Sequence, residues 1–425
     1  MKKVLLAGTA LVGLALAAAP AKAEVKLDLG GFFRGYGVYA DSDVANERNY
    51  DLRRDSEVHV SGETTLDNGL TVGFHTEQKL GSSATVTNEV YSYFSGGWGR
   101  LNVGSEDGAA YLLQVAAPSG DSNVDGLRAN IQAFTATDSV FGSVPGLSGS
   151  SVIDYDHVSD PTGSAATDRL TYITPKFNGF QAGVSYAPET GQNGTGNNLA
   201  AMNTDNDNGD FQDIWEAGAR YDGEFQGFGF SLGAGYSHAA LENHVLQNAA
   251  NADDTSAPVL SDDVSEWNIG GSVAFSGFTL GAVYKDINTE NQTCFDAGDN
   301  LGDCDTTANL DVDKKTWVAG GAYDNGPYHV GVSYLNQQIE RDGAGNSATD
   351  GGWLAATDAT YDAWTVGGGY TFGPGMTFRG AVTWGQYEND TNASDVSVGD
   401  VKLGDFAGGA DQDVTQVTIG TDIQF

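Results

Sequence analysis

The chain has 425 residues, 57 acidic against 20 basic, a formal net charge of −37 and 59 glycines. That charge argues against nucleic acid or anionic headgroups as partners, and the aromatic content of 10% argues against a disordered acidic chain. Past residue 23 there is no run of 18 apolar residues, so no membrane helix is expected.

Residues 1–23 read as a secretory signal. Lys2 and Lys3 precede an apolar run from Val4 to Ala19, and Ala21-Lys-Ala23 supplies a small-x-small cleavage site before Glu24. Loss of Lys2, Lys3 and Lys22 takes the formal charge from −37 to −40.

After Glu24 the chain alternates. Val25, Leu27 and Leu29 form one face, and Lys26, Asp28, Arg34 and Tyr36 the other. Val58, Val60 and Leu66 then stand against Asp55, Glu57, His59 and Glu63, and Asp67-Asn-Gly69 signals a hairpin into Leu70, Val72 and Phe74. Short turn signals recur at Gly96-Gly97, Asn178-Gly179, Asp222-Gly223, Ser276-Gly277, Asp324-Asn-Gly326 and Gly373-Pro-Gly375, each followed by an alternating strand. Longer Asp/Asn/Gly-rich connections fall near 40–50, 81–88, 105–166, 187–212, 238–264, 286–313, 336–358 and 386–412. The last strand puts Thr415, Val417, Ile419, Thr421, Ile423 and Phe425 on one face.

The count is sixteen strands, seven short turns and eight long loops, the arithmetic of a closed even-numbered barrel with both termini on the short-turn side. Strands that follow short turns begin with Phe or Tyr and end with Tyr or Trp, which suits two aromatic belts at the membrane boundaries. The expected fold is all-β, a 16-stranded antiparallel transmembrane β-barrel spanning 24–425. The two cysteines, Cys294 and Cys304, fit a disulfide across one acidic loop better than a metal site.

Three stretches carry a resemblance. Residues 24–37 (EVKLDLGGFFRGYG), 98–108 (WGRLNVGSEDG) and 168–180 (DRLTYITPKFNGF), with terminal Phe425, resemble Gram-negative general porins, especially the alphaproteobacterial type. The resemblance implies sixteen-stranded homotrimers of the outer membrane whose third loop folds into the lumen. It also implies that the strand ending at Phe425 is read by the barrel-assembly machinery.

The residues allow a constriction in that place. The 105–166 connection holds Glu106, Asp107, Asp121 and Asp125, with an apolar part at Tyr111–Val115 suited to packing on an inner wall. Arg34, Arg53, Lys79 and Arg100 fall on the polar faces of early strands, and inward bases opposite an acidic loop would set a transverse field. The competing reading of each is a solvated lumen charge with no special role.

Catalytic patterns fail. Gly229-Phe-Ser-Leu-Gly233 lies in a strand without the strand-to-helix elbow its chemistry needs. The six histidines are scattered and no catalytic or metal residue is assigned. No cofactor is expected beyond adventitious Ca²⁺ in acidic loops such as 205–210. The functional expectation is a water-filled channel for passive diffusion of ions and small hydrophilic solutes, weakly cation-selective. Its alternative is a substrate-selective outer-membrane transport barrel.

Overall fold

The structure is a computed structural model describing residues 25–42, 49–81, 86–120, 167–189, 211–241, 259–295, 306–309, 311–341, 357–389, 397–398, 401–402 and 412–425. The signal expected at 1–23 lies outside them.

The strands run β1 (Lys26–Ser42), β2 (Tyr50–Thr65), β3 (Thr71–Lys79), β4 (Val86–Gly96), β5 (Gly99–Glu106), β6 (Thr167–Ile173), β7 (Phe180–Glu189), β8 (Phe211–Phe225), β9 (Phe228–Leu241), β10 (Val259–Phe275), β11 (Phe278–Phe295), β12 (Thr306–Asn309), β13 (Val312–Asn325), β14 (Tyr328–Arg341), β15 (Thr357–Gly373), β16 (Met376–Asn389), β17 (Ser397–Val398), β18 (Val401–Lys402) and β19 (Gln412–Gln424). β12 and β13 pair with β11 in one register, so together they form a single wall strand interrupted at 310–311. β17 and β18 pair with each other, apart from the wall.

The wall therefore has sixteen strands among the described residues, each antiparallel to its neighbours. It closes where β1 meets β19, with Arg34 opposite Asp422. Gly31 and Phe425 complete the seam by exchanging backbone bonds of 3.0 and 3.1 Å. Closure leaves no sheet edge to be satisfied by lipid. Seven short turns lie on the side of the termini and eight longer connections on the other.

Side-chain alternation sets the two faces. Trp215, Tyr236, Trp267, Leu280, Val330 and Phe378 are exposed on the outer one. Glu266, Lys285, Thr316 and Gln337 are buried on the inner one. The outer aromatics form two belts. Near the short turns, Phe228 stacks on Phe275 at 4.3 Å and Phe278 packs at a tilt on Tyr323 at 4.4 Å. Toward the long connections, Tyr186–Trp215, Tyr236–Trp267, Tyr284–Trp317 and Tyr334–Trp364 are direct cross-strand partners. Amphipathic rings at two heights mark the two membrane–water boundaries.

The structure moves one turn. Asp222-Gly223 lies inside β8, and the chain reverses at Gln226-Gly227 with φ of 51° and 83°. Two left-handed residues match the twist of a two-residue hairpin, a geometry shared by Asn178-Gly179 and Ser276-Gly277. Gln is not an ordinary turn signal, whereas Asp222 mimics one while serving as an acceptor for Lys176 at 2.5 Å and Ser231 at 2.8 Å. Strands β11 and β14 also run to Phe295 and Arg341, past the points where apolar alternation fades. Backbone pairing continues there although outward positions such as Asp286, Asn288, Asn336 and Gln338 are polar, while Ile287 and Ile339 stay buried inside.

Candidate functional site

The first part of the long connection lies on the inner wall. After β5, Asp107 and Gly108 lead into α1 (Ala109–Leu112), a single turn, and the chain runs on to Gly120. Along the way it presses on glycines of successive strands. A Cβ at Gly183 of β7 would meet Ala109 at 3.3 Å, and one at Gly233 of β9 would meet the Leu113 carbonyl at 2.9 Å. Gly270 of β10 and Gly320 of β13 would strike the carbonyls of Val115 and Pro118. Gly331 of β14 and Gly367 of β15 would meet the carbonyls of Ser119 and Gly120 at 2.9 and 2.8 Å.

All these glycines have the inward parity of their strands. From β7 to β15 the wall turns through seven strand steps, about 44 Å of circumference at ~5 Å spacing and ~40° tilt. Ala109–Gly120, extended, reaches only about 40 Å, so that sweep fits the shorter inner circumference. The bare backbone of the glycines is what lets the segment lie flat.

Polar wall residues pin it. The Ala109 N–H donates to Ser185 Oγ at 2.8 Å and the Ala110 N–H to Glu216 Oε2 at 3.4 Å. Arg220 donates to the Gln114 carbonyl at 3.1 Å, and the Gly120 N–H to Ser333 Oγ at 3.2 Å. Glu216 is itself fixed by a buried ion pair with Arg169, and its carboxylate lies where a side chain at Gly108 would stand. Apolar packing completes the attachment: Ala117 joins a cluster with Val318, Leu335 and Tyr361.

The expected constriction residues divide. Arg34, Arg53, Lys79, Arg100 and Glu106 all fall on the wall formed by β1–β5. The Arg34 guanidinium is 3.5 Å from Asp55 and lies over the Phe32 ring at 4.2 Å. Arg53 is 3.8 Å from Asp51, and Lys79 stands opposite Glu57 in register. Arg100 donates to Asn102 at 2.7 Å and sits 3.9 Å from the Tyr93 ring. Asn102 in turn donates to both Glu106 oxygens at 2.7 Å. Glu106 therefore belongs to the wall, beside Arg100, rather than to a loop facing it. Asp107 begins the inner segment, whereas Asp121 and Asp125 lie outside the described residues. So do Cys304, and with it the Cys294–Cys304 bridge, and the acidic stretch 205–210.

Sequence reasoning missed the Arg169–Glu216 anchor, the glycine track, and the carboxylates Glu77 and Glu89, which face each other on β3 and β4. It also treated His59 and His75 as unrelated, although adjacent strands bring them within one hydrogen-bonded group with Glu57, Ser61 and Glu77. On the far side Arg379 lies 2.8 Å from Asp422, which also accepts from Tyr36, so a buried polar triad seals the seam.

A closed barrel with a polar interior, crossed by an inner segment, matches a known family. A family model for Gram-negative porins matches residues 7–392. The chain belongs to the Gram-negative porin family. This porin is 24% identical, over 396 residues, to an uncharacterised protein of Rickettsia typhi, with 79% of this chain and 86% of that one covered. A Rickettsia prowazekii protein is 23% identical over 214 residues, which span only 45% of its length. Among solved structures, a loop-deletion mutant of the Vibrio cholerae outer-membrane protein OmpT superposes with a TM-score of 0.55 at 13% identity, covering 94% of the porin and 99% of that chain. Salmonella typhi OmpF does so with 0.53 at 16% identity, covering 94% and 98%. The Acinetobacter baumannii outer-membrane channel DcaP gives 0.53 at 14%, covering 96% and 100%. These likenesses establish the fold, and the family places the porin in the outer membrane as a channel.

Proposed function

We propose that this porin is a passive diffusion channel for ions and small hydrophilic solutes, with a weak preference for cations. The observation that carries the reading is the polar lumen with residues 107–120 pinned along half its circumference. A pore narrowed by its own chain sorts solutes by size, and the wall charges sort them by sign.

The preference follows from how the charges are spent. Arg34, Arg53, Arg169 and Arg379 are each beside a carboxylate. Glu57, Glu77, Glu89 and Glu106 cluster on the β2–β5 wall, and acidic residues exceed basic ones overall. The reading assigns the constriction to the 105–166 connection, with Arg34, Arg53, Lys79, Arg100, Glu106, Asp107, Asp121 and Asp125 as its charged groups. It requires no cofactor and no chemistry on the solute.

We assign the assembly as a homotrimer, exported by the 1–23 signal and inserted through the strand ending at Phe425. The outer face supports a protein-covered sector. Strands β3, β5 and β6 have only 9, 8 and 7 residues. Between Tyr50 of β2 and Tyr186 of β7, the outward positions include Thr76, Gln78 and Ser92, with no tyrosine or tryptophan toward the long connections among the described residues. A gap of that kind in the upper belt suits a neighbouring subunit better than lipid.

Reversal potentials in asymmetric KCl test the selectivity. Neutralising Glu106, Asp107, Asp121 and Asp125 together is expected to move the potential toward anions with the barrel intact. An unchanged potential in a folded trimer would remove these residues from the constriction. Saturable conductance for one solute class would favour the substrate-selective alternative.

A further inference from the structure

The lumenal face of the β2–β3 hairpin brings two imidazoles to the acidic wall, a pairing that charge selectivity alone does not explain. His59 is opposite Glu77 in register, and Ser61 is opposite His75. Both imidazoles therefore reach the same carboxylate from one side of the hairpin. His75 Nε2 is 3.0 Å and His59 Nδ1 3.5 Å from Glu77 Oε1. Three donor atoms, one from each residue, lie within 4.8 Å of one another.

The second nitrogen of each ring is also held. His59 Nε2 is 3.2 Å from Glu57 Oε2, and His75 Nδ1 is 2.7 Å from Ser61 Oγ. The other oxygen of Glu77 accepts from Asn88 at 3.3 Å. Outer partners on both imidazoles and on the carboxylate are what orient ligands toward a metal ion. The His75 ring packs against Tyr91 at 5.3 Å and the His59 ring against Phe32 at 5.9 Å, which restricts their rotation. The group is partly exposed to the lumen, with side-chain accessibilities of 28%, 18% and 17% for His59, His75 and Glu77.

We infer that His59 Nδ1, His75 Nε2 and a Glu77 oxygen bind one borderline divalent transition-metal ion, such as Zn²⁺ or Cu²⁺, on the pore wall. The two His-to-Glu separations of 3.5 and 3.0 Å suit it: bonds of about 2.0–2.1 Å in a tetrahedral shell put donor atoms about 3.3 Å apart. Two imidazoles and one carboxylate select such ions over Ca²⁺ and Mg²⁺, which require more oxygen ligands. The remaining coordination position faces the lumen and is left to water or a passing anion. Bound there, the ion adds two positive charges to the acidic wall and lowers its attraction for cations. That consequence for conduction rests on the channel reading; the binding itself does not.

The test uses untagged, detergent-folded protein titrated with Cu²⁺ and followed by electron paramagnetic resonance. The expected result is one Cu²⁺ per chain at micromolar concentration, with hyperfine coupling to two imidazole nitrogens. H59Q and H75Q should each remove one nitrogen, Ser61→Ala should weaken binding about tenfold through the lost outer contact, and H238Q should change nothing. A wild-type spectrum with only oxygen ligands overturns the site without recourse to any variant. So does a nitrogen signal that survives H59Q with H75Q in protein that still shows heat-modifiable migration. Separately, micromolar Zn²⁺ should shift the reversal potential toward anions, reversibly with EDTA. Copper bound as expected but with no such shift would refute the effect on conduction and leave the site standing.

Discussion

Arg169 and Glu216 show most clearly how one pair of residues holds the pore's inner surface. Both side chains are almost fully buried, and Glu216 also receives the Ala110 N–H. Removing one member of a buried pair costs about 3–5 kcal/mol because the other charge is left uncompensated, whereas replacing both with apolar groups is often near neutral. Arg169→Met is therefore expected to free the segment near Ala109, lower the midpoint of urea unfolding and admit larger sugars in liposome swelling. Arg169→Met with Glu216→Leu should recover the midpoint but not the original sieving, since the acceptor for Ala110 is gone. Equal sieving by the double variant and wild type would show that Ser185 and Arg220 suffice to hold the segment. Little of this was legible in the sequence. Arg169 stood out only as part of the 168–180 stretch and Glu216 not at all, and only the β6–β7–β8 registers reveal that they meet. The same holds for His59 and His75, whose strands were recognised but not the diagonal that joins them.

At the scale of elements, alternation was the reliable signal because lipid and lumen impose it on every strand. It yielded the sixteen strands and the sorting of seven short turns from eight longer connections, as the structure has them. It failed where the outward side no longer meets lipid: toward the outer ends of β11 and β14 that side turns polar at Asp286, Asn288, Asn336 and Gln338, and Glu106 ends a wall strand rather than opening a loop. The glycine content was noticed but not placed. A minority of it forms the track beneath residues 109–120, and this yields a direct test. Gly270→Val and Gly320→Val would drive a side chain into the carbonyls of Val115 and Pro118. They should displace the segment and raise permeation of larger sugars while the barrel stays heat-modifiable. Gly321→Val, on the outer face where the nearest atom is the movable Leu280 side chain at 2.9 Å, should leave sieving unchanged. Increased permeation in the Gly321 variant alone would dissociate the track from the pore's size limit.

For the whole molecule, closure, belts and charge distribution act together. The outer sector on β2–β5 should be subunit contact, so a cysteine at Ser92 is expected to give crosslinked trimers with a short bifunctional reagent. One at Leu280, exposed among lipid-facing residues, should give none. The reverse pattern would move the interface to the far side of the barrel. Charge at the mouth acts over a Debye length of roughly 10 Å at 0.1 M salt, so selectivity should weaken as ionic strength rises. The decisive measurement is a single-channel recording of the purified protein in a planar bilayer under a KCl gradient. The expected result is stepwise conductance with a reversal potential displaced modestly toward cations, the displacement shrinking as both salt concentrations are raised. Folded, heat-modifiable protein that gives no steps, or steps with an anion-favouring potential that does not respond to salt, would contradict a passive, weakly cation-selective pore.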